Sequence, residues 1–177
     1  MMFLDSARRI LRQYQELGTK TLARLTIPEQ LNARPHPGAN SVAHIVRHME
    51  GNMRSRWTDF LTTDGEKPAR ARDEEFADDL YLTPAAAQQL WASGWAVVWA
   101  ALDPLTAADL ERTIYIRGEA HTVQDAILRQ LAHYPYHVGQ LVLVAKQVLG
   151  EGGFASLSIP KRAAAAFTGA EKPTPGS

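Results

Sequence analysis

Apolar residues recur every three or four positions in four stretches of the chain, a spacing typical of amphipathic helices. The first stretch covers residues 4–25 and ends before residues 28–38, which are rich in proline and polar side chains. The second runs from a helix cap at Asn40 or Ser41 to about Phe60. The pattern therefore predicts two long helices in the first third of the chain.

The third and fourth stretches begin at threonines that can cap a helix. Thr83 precedes Pro84, and proline favours the first helical position. Thr122 has Asp125 three residues further on, a loose form of the capping box, and this helix is expected to end near Gly150. The third helix is expected to bury its apolar side chains Trp91, Trp95, Val98, Leu102 and Leu105.

Residues 112–119 lie between these two helices. Before Gly118, polar and apolar residues alternate there and β-branched side chains are frequent. Such a pattern predicts a small hairpin or extended excursion before the last helix. Four helices of similar length most economically form an antiparallel bundle. We therefore expect an all-α protein, an up-down four-helix bundle, with one minor extended segment.

Composition narrows the function. Lysine and arginine total 19, and so do aspartate and glutamate, so a basic surface for nucleic acid or an anionic membrane is not expected. The absence of cysteine excludes disulfides, thiolate metal ligands and a cysteine nucleophile. Charges come too early at the N-terminus for a secretory signal, and no apolar run is long enough to cross a bilayer. The cytoplasm is the expected location.

The placement of the six histidines carries the most information about chemistry. His133 and His137 are four residues apart, so they would lie on one face of the last helix and could bind one metal ion. His48 is in phase with the apolar face of the second helix and can point at them from across a bundle. Three neutral imidazoles suit zinc, and also nickel, iron or manganese, and leave positions open for substrate.

Spacing alone leaves another interpretation open, because partly buried histidines are often only hydrogen-bonded to neighbours. His44 is interpreted as structural, since a fourth imidazole would close the site. Pro135 lies between the two histidines of the last helix and lacks the N–H that the helix needs, so a kink is expected there.

The histidine of the second helix, together with the run from His133 to Gln140, resembles the DinB/YfiT-like superfamily of metal-dependent enzymes. A narrower resemblance, over Arg47–Pro68 and again at Leu157–Pro160, is to a branch of that superfamily described as a domain of unknown function. On this basis residues 1–162 would form one domain and residues 163–177 a flexible tail.

The resemblance implies an often dimeric four-helix bundle in which His48, His133 and His137 bind one divalent metal ion. Related enzymes include thiol S-transferases that use low-molecular-weight thiols, mycothiol-dependent isomerases and metal-dependent hydrolases. The expected partners are therefore a small-molecule substrate, with such a thiol as the candidate cosubstrate, and a second copy of the chain in a homodimer.

Three functions stay open. The metal ion could lower the pKa of a thiol in a transferase, or activate water in a hydrolase. Alternatively, the chain is a non-catalytic dimeric helical binding module. Asn52, Tyr134 and Gln140 are candidates to line the pocket or to orient a water molecule near the metal ion, with a packing role as the alternative for Tyr134 and Gln140. Glu50 is on another helix face from His48 and is not favoured as a general base.

Overall fold

The computed structural model describes residues 2–150, 152–155 and 157. Within them the protein is mostly helical, with five α-helices and one two-stranded hairpin. The helices are α1 (Met2–Leu22), α2 (Pro28–Asn32), α3 (Val42–Trp57), α4 (Pro84–Leu102) and α5 (Val123–Leu149). The strands are β1 (Thr113–Ile116) and β2 (Glu119–Thr122). The predicted tail, residues 163–177, lies outside the described residues.

The helix starts follow from local capping, as the sequence predicted. Ser41, Thr83 and Thr122 each precede a long helix, and each side chain accepts a hydrogen bond from a backbone N–H of the first turn. These hydrogen bonds satisfy donors that have no partner inside the helix. At Thr122 the Asp125 carboxylate completes a capping box by accepting from the backbone N–H of Thr122.

The predicted excursion before the last helix is an antiparallel hairpin, which confirms that expectation. Its two-residue turn has positive φ angles at Arg117 (57°) and Gly118 (76°), the backbone that matches the twist of paired strands. The Asp64 carboxylate accepts hydrogen bonds from the backbone N–H groups of both turn residues, over 2.8 and 2.7 Å. The hairpin is therefore held against the chain segment that follows α3.

Helix α2 was not predicted. It has only five residues, too few to show a helical period, and proline occupies its first turn. Its Leu31 is buried, and the Asn32 side chain exchanges hydrogen bonds of 2.9 and 3.0 Å with the backbone of Leu82. Helix α2 therefore fastens the end of the connection between α3 and α4.

The four long helices pack in pairs, α1 on α4 and α5, and α3 on α4 and α5. Helices α1 and α4 are antiparallel, because Arg8 bonds to the carbonyl of Leu102 while Thr19 accepts from Trp91. Helices α3 and α4 run in the same direction: Gly94 lies against Glu50, and the two C-terminal ends line one surface pocket. This pair departs from the antiparallel order that the sequence predicted.

A parallel pair of helices needs a long connection, which residues 58–83 provide. The connection includes a one-turn 3₁₀ helix, Asp73–Phe76, which packs on α3. The predicted core residues of the third helix are all buried, with Trp95 completely inaccessible. None of the helices in the described part of the chain has the length and apolar character needed to cross a membrane.

Candidate metal centre

The structure brings His48, His133 and His137 together between α3 and α5. Each offers one ring nitrogen to a group whose three nitrogens all lie within 4.8 Å of one another. The ring centroid of His48 lies 4.7 Å from the ring centroid of His137 and 5.6 Å from that of His133. These three residues, predicted from helical spacing and phase, therefore form a group that could hold a metal ion.

The two histidines of α5 face each other with their Nε2 atoms. Their Nε2 atoms are 3.0 Å apart, because residues i and i+4 lie one above the other on a helix. Two nitrogens on one tetrahedral zinc ion, each at about 2.0–2.1 Å, would be roughly 3.3 Å apart. The observed separation therefore needs only a small adjustment to suit a single ion.

Helix α5 continues through Pro135 from Val123 to Leu149, so both histidines belong to one uninterrupted helix. Proline removes the backbone N–H that would bond to the carbonyl of Leu131. The kink that the sequence predicted at this position stays a prediction. The residue does not prevent the i, i+4 arrangement that brings His133 and His137 together.

Neighbouring side chains orient two of the imidazoles. The Glu75 carboxylate accepts a hydrogen bond of 2.9 Å from His48 Nδ1, and Gln140 Oε1 accepts one of 2.8 Å from His137 Nδ1. In this tautomer, assigned from the hydrogen-bond network, Nδ1 of each ring carries the proton and Nε2 presents a lone pair. A hydrogen bond from the second ring nitrogen is the usual support of a metal-binding histidine.

His133 differs from the other two. Its Nδ1 is buried and has no hydrogen-bond partner among the described residues. Burial lowers the pKa of His133 to about 3, with His137 and His48 nearby adding to the effect. Burial likewise lowers the pKa of His137 to about 4, although its bond to Gln140 acts in the opposite direction. Both rings are therefore neutral near pH 7, as metal ligation requires.

Glu75 was not predicted as a site residue. It comes from the 3₁₀ helix of the connection, is only 2% exposed, and also binds Arg70 through two hydrogen bonds of 2.8 and 2.9 Å. Burial raises the pKa of Glu75, but the hydrogen bonds from His48 and Arg70 outweigh burial and hold it below the usual range. The carboxylate therefore stays ionised beside His48.

Glu75 reaches His48 because Gly51 leaves space for it. A Cβ atom added to Gly51 would overlap the Glu75 side-chain oxygen and carboxyl carbon. Gly51 lies three residues after His48, so one turn of α3 supplies both the imidazole and the gap beside it. The only sequence signal for Glu75 was an acidic run, Asp73–Glu75, next to a basic one.

The other predicted residues occupy different places. Asn52 and Gln140 line the cavity beside the histidines. Tyr134 is fully buried in the core, where its hydroxyl accepts a 2.9 Å hydrogen bond from Trp57 Nε1, and it does not line that cavity. Glu50 is buried between Arg47 and Arg54 on another face of α3, as expected.

His44 has a structural role, as predicted. It is 2% exposed, and its ring bonds to Ser41 at the start of α3 and to the backbone carbonyl of Ala77. These contacts use both ring nitrogens, so His44 has no lone pair left for the metal centre. It attaches the connection to α3 instead.

The three histidines open into a cavity of about 440 Å³. A larger cavity of about 860 Å³ lies on the other side of the connection, but none of the three histidines lines it. A molecule that contacts the imidazoles would therefore bind in the smaller cavity, which we call the histidine cavity. Its other lining residues are Asn40, Asn52, Arg56, Arg70, Arg72, Phe76, Arg117, Arg129, Gln130, Tyr136 and Gln140.

Fold and site together define a mostly helical protein with a three-histidine group that could hold a metal ion. The chain belongs to a family described as protein of unknown function (DUF1572), whose model matches residues 1–163. Membership of a domain-of-unknown-function family, inferred from the sequence, is thereby confirmed, whereas the place of that family in the DinB/YfiT-like superfamily stays a prediction. No curated protein sequence matches the chain.

Proposed function

We propose that this protein is a metal-dependent enzyme of the DinB-like type, with one divalent ion, zinc first among the candidates, bound by His48, His133 and His137. The observation that carries the proposal is the convergence of three imidazole nitrogens within 4.8 Å. The hydrogen bonds of the His48 and His137 rings to Glu75 and Gln140 agree with it.

A thiol S-transferase is the favoured activity. When bound, a divalent ion supplies a Lewis acid that lowers the pKa of a coordinated thiol or water. The thiol would come from a cosubstrate, since the chain has no cysteine. Among the described residues no aspartate or glutamate lines the histidine cavity, so a carboxylate general base for water is absent there. This difference favours the transferase over the hydrolase, which stays the alternative.

The proposed class also carries expectations about assembly. The pairwise packing of α1, α3, α4 and α5 supports a four-helix bundle. The homodimer stays a prediction, and the exposed apolar residues Leu128, Tyr136 and Leu143 of α5 are where we expect its interface. A non-catalytic dimeric module remains the competing interpretation if no metal is bound.

Metal analysis tests the proposal directly. Protein purified without chelator or affinity tag is compared with His137→Ala and with the triple alanine variant of the three histidines. His36→Ala is the matched control, because His36 is exposed and, among the residues that the structure describes, its ring bonds only to the neighbouring Pro37 carbonyl. We expect about one zinc ion per chain in the wild type and the control, and loss of zinc in the other two variants.

The same experiment can reject the proposal. Unchanged metal content in His137→Ala would disprove the ligand assignment. A wild type that stays metal-free after reconstitution would favour the non-catalytic module. With metal bound, transfer of a small thiol to an electrophile is then measured beside ester and amide hydrolysis, and hydrolysis without thiol dependence would select the alternative.

A further inference from the structure

The walls of the histidine cavity carry positive charge. No acidic residue of the described chain lines the cavity. The metal ion of the proposed function would add two further positive charges. Such a cavity attracts anions and concentrates them at its mouth. Its basic lining residues are Arg56, Arg70, Arg72, Arg117 and Arg129.

Three of these arginines already have partners outside the cavity lining. Arg70 is bound to Glu75, while Arg56 and Arg117 approach Glu66 at 3.4 and 2.9 Å. These carboxylates therefore partly neutralise the charges of the three arginines. The positions of Arg56 and Arg70 are also fixed, since their side chains are less than one-tenth exposed.

Arg72 and Arg129 are different. Both are exposed, and neither guanidinium forms a hydrogen bond or ion pair with another side chain or carbonyl in the described part of the chain. They come from different elements, the connection and α5. A guanidinium has five N–H donors in a planar fork that suits a carboxylate or phosphate group. The cavity thus has two free anion-binding groups at its wall.

Two buried amides make the cavity polar on its inner side. Asn52 and Gln130 are 5% and 4% exposed, and the side-chain oxygen of each lacks a hydrogen-bond partner among the described residues. Asn52 lies one turn after His48, and Gln130 lies three residues before His133. Buried polar atoms without partners are rare in folded proteins, and those that occur need a reason such as a ligand.

We propose that the histidine cavity binds a small organic anion as its substrate. The carboxylate or phosphate of that molecule would lie against Arg72 and Arg129, and a hydroxyl, amine or amide group would pair with Asn52 and Gln130. The bound anion would be the substrate of the proposed metal centre. That it reacts depends on the proposed function, whereas that it binds does not. The anion site itself uses residues that are not metal ligands.

Binding of three small probes tests the inference. Lactate carries a carboxylate and a hydroxyl, inorganic phosphate represents the other anion, and lactamide is the neutral relative of lactate. Each is titrated calorimetrically into zinc-free protein, which removes direct contact between anion and metal. The variant is Arg72→Gln/Arg129→Gln, and the control is Arg9→Gln, an exposed arginine of α1 outside the cavity lining.

We expect lactate or phosphate to bind saturably to the wild type and to Arg9→Gln, and lactamide to bind much more weakly. The double variant should keep its fold by circular dichroism and lose roughly tenfold or more in anion affinity, because charged hydrogen bonds are removed. The tighter of the two anions indicates the substrate's acidic group. No saturable binding of either anion, or equal affinity in the double variant, overturns the inference.

Zinc content separates this result from the test of the metal centre. The double variant should bind as much zinc as the wild type, because Arg72 and Arg129 are not among the three ligands. A protein that binds no zinc but loses anion affinity in the double variant would reject the metal centre and keep the anion site. Zinc binding by the wild type, together with unchanged anion affinity in the double variant, would keep the metal centre and reject the anion site.

Discussion

The Glu75 carboxylate accepts a hydrogen bond from His48 Nδ1 over 2.9 Å, although the two residues are 27 positions apart in the chain. Both side chains are buried, and Arg70 donates a hydrogen bond to each oxygen of the carboxylate. A buried carboxylate that receives Nδ1–H fixes the tautomer in which Nε2 is free. The connection between α3 and α4 therefore orients an imidazole that belongs to a helix.

Replacing Glu75 should weaken metal binding. In Glu75→Gln the neutral amide no longer balances the charge of Arg70 and supports His48 less well. We expect the zinc dissociation constant to rise about 10–100-fold, the usual effect of removing such a partner. Competition with a chromogenic chelator measures it. The control is Glu74→Gln, an exposed neighbour, and equal affinities in the two variants would contradict the role of Glu75.

A methyl group at Gly51 should also weaken metal binding, because it would occupy the space of the Glu75 carboxylate. Gly51→Ala would force Glu75 away from His48, because the new Cβ overlaps the carboxylate. We expect a lower melting temperature and a zinc affinity reduced about tenfold or more.

The matched control for that variant is Gly139→Ala, since a Cβ at Gly139 meets no atom within 4 Å. There, the change from glycine to alanine in a helix should stabilise by about 0.5–1 kcal/mol and leave zinc binding unchanged. Chemical unfolding and chelator competition measure the two properties. Equal zinc affinity in both glycine variants would disprove the requirement for space at Gly51.

Tyr134 should matter for stability rather than for the metal. Tyr134→Phe removes the acceptor of the buried Trp57 Nε1–H. A buried donor left without a partner costs about 1–3 kcal/mol of the free energy of unfolding, which urea unfolding would detect. The exposed Tyr136→Phe is the control and should change stability little. Loss of zinc in Tyr134→Phe, with little loss of stability, would contradict this assignment.

Asp64 should make stability depend on acid pH. Backbone hydrogen bonds from Glu66, and next from Gly118, lower the pKa of Asp64 below its ordinary value of 3.8. The folded state therefore binds fewer protons than the unfolded state between the two pKa values, and stability decreases as the pH falls. The contribution is complete above pH 3.8 and is lost as the pH falls through the folded pKa.

Comparison with Asp64→Asn isolates this contribution. The wild type should be more stable than the variant at pH 6, and the difference should shrink as the pH falls below about 4. Thermal unfolding of both proteins across this range measures it. A difference that stays constant with pH would show that the charge of Asp64 does not stabilise the hairpin turn.

The features predicted correctly from the sequence are those set by local chemistry. Ser41, Thr83 and Thr122 cap helices through bonds within three residues, and the hairpin is coded by alternation and Gly118. The i, i+4 spacing brings His133 and His137 together on any helix. His48 followed from phase, because a buried helix face must meet another helix.

The features that were missed depend on contacts between distant residues. Glu75 reaches the site from a segment with no periodic pattern, and nothing near it in the sequence specifies His48 as its partner. The parallel direction of α3 and α4 likewise depends on the path of residues 58–83. The buried, unpartnered oxygen of Gln130 could not be recognised, since glutamine is mostly exposed in folded proteins and spacing does not reveal a missing hydrogen-bond partner.

The parallel course of α3 and α4 has a consequence for how this family can diversify. The histidines are on helices whose packing holds the core together, so changes near them would damage the fold. Arg72 and Glu75 are instead on the long connection, which has fewer packing constraints than the helices. Changes in this one segment would therefore alter the wall of the histidine cavity through Arg72 and the orientation of His48 through Glu75, while the three histidines keep their places on the helices.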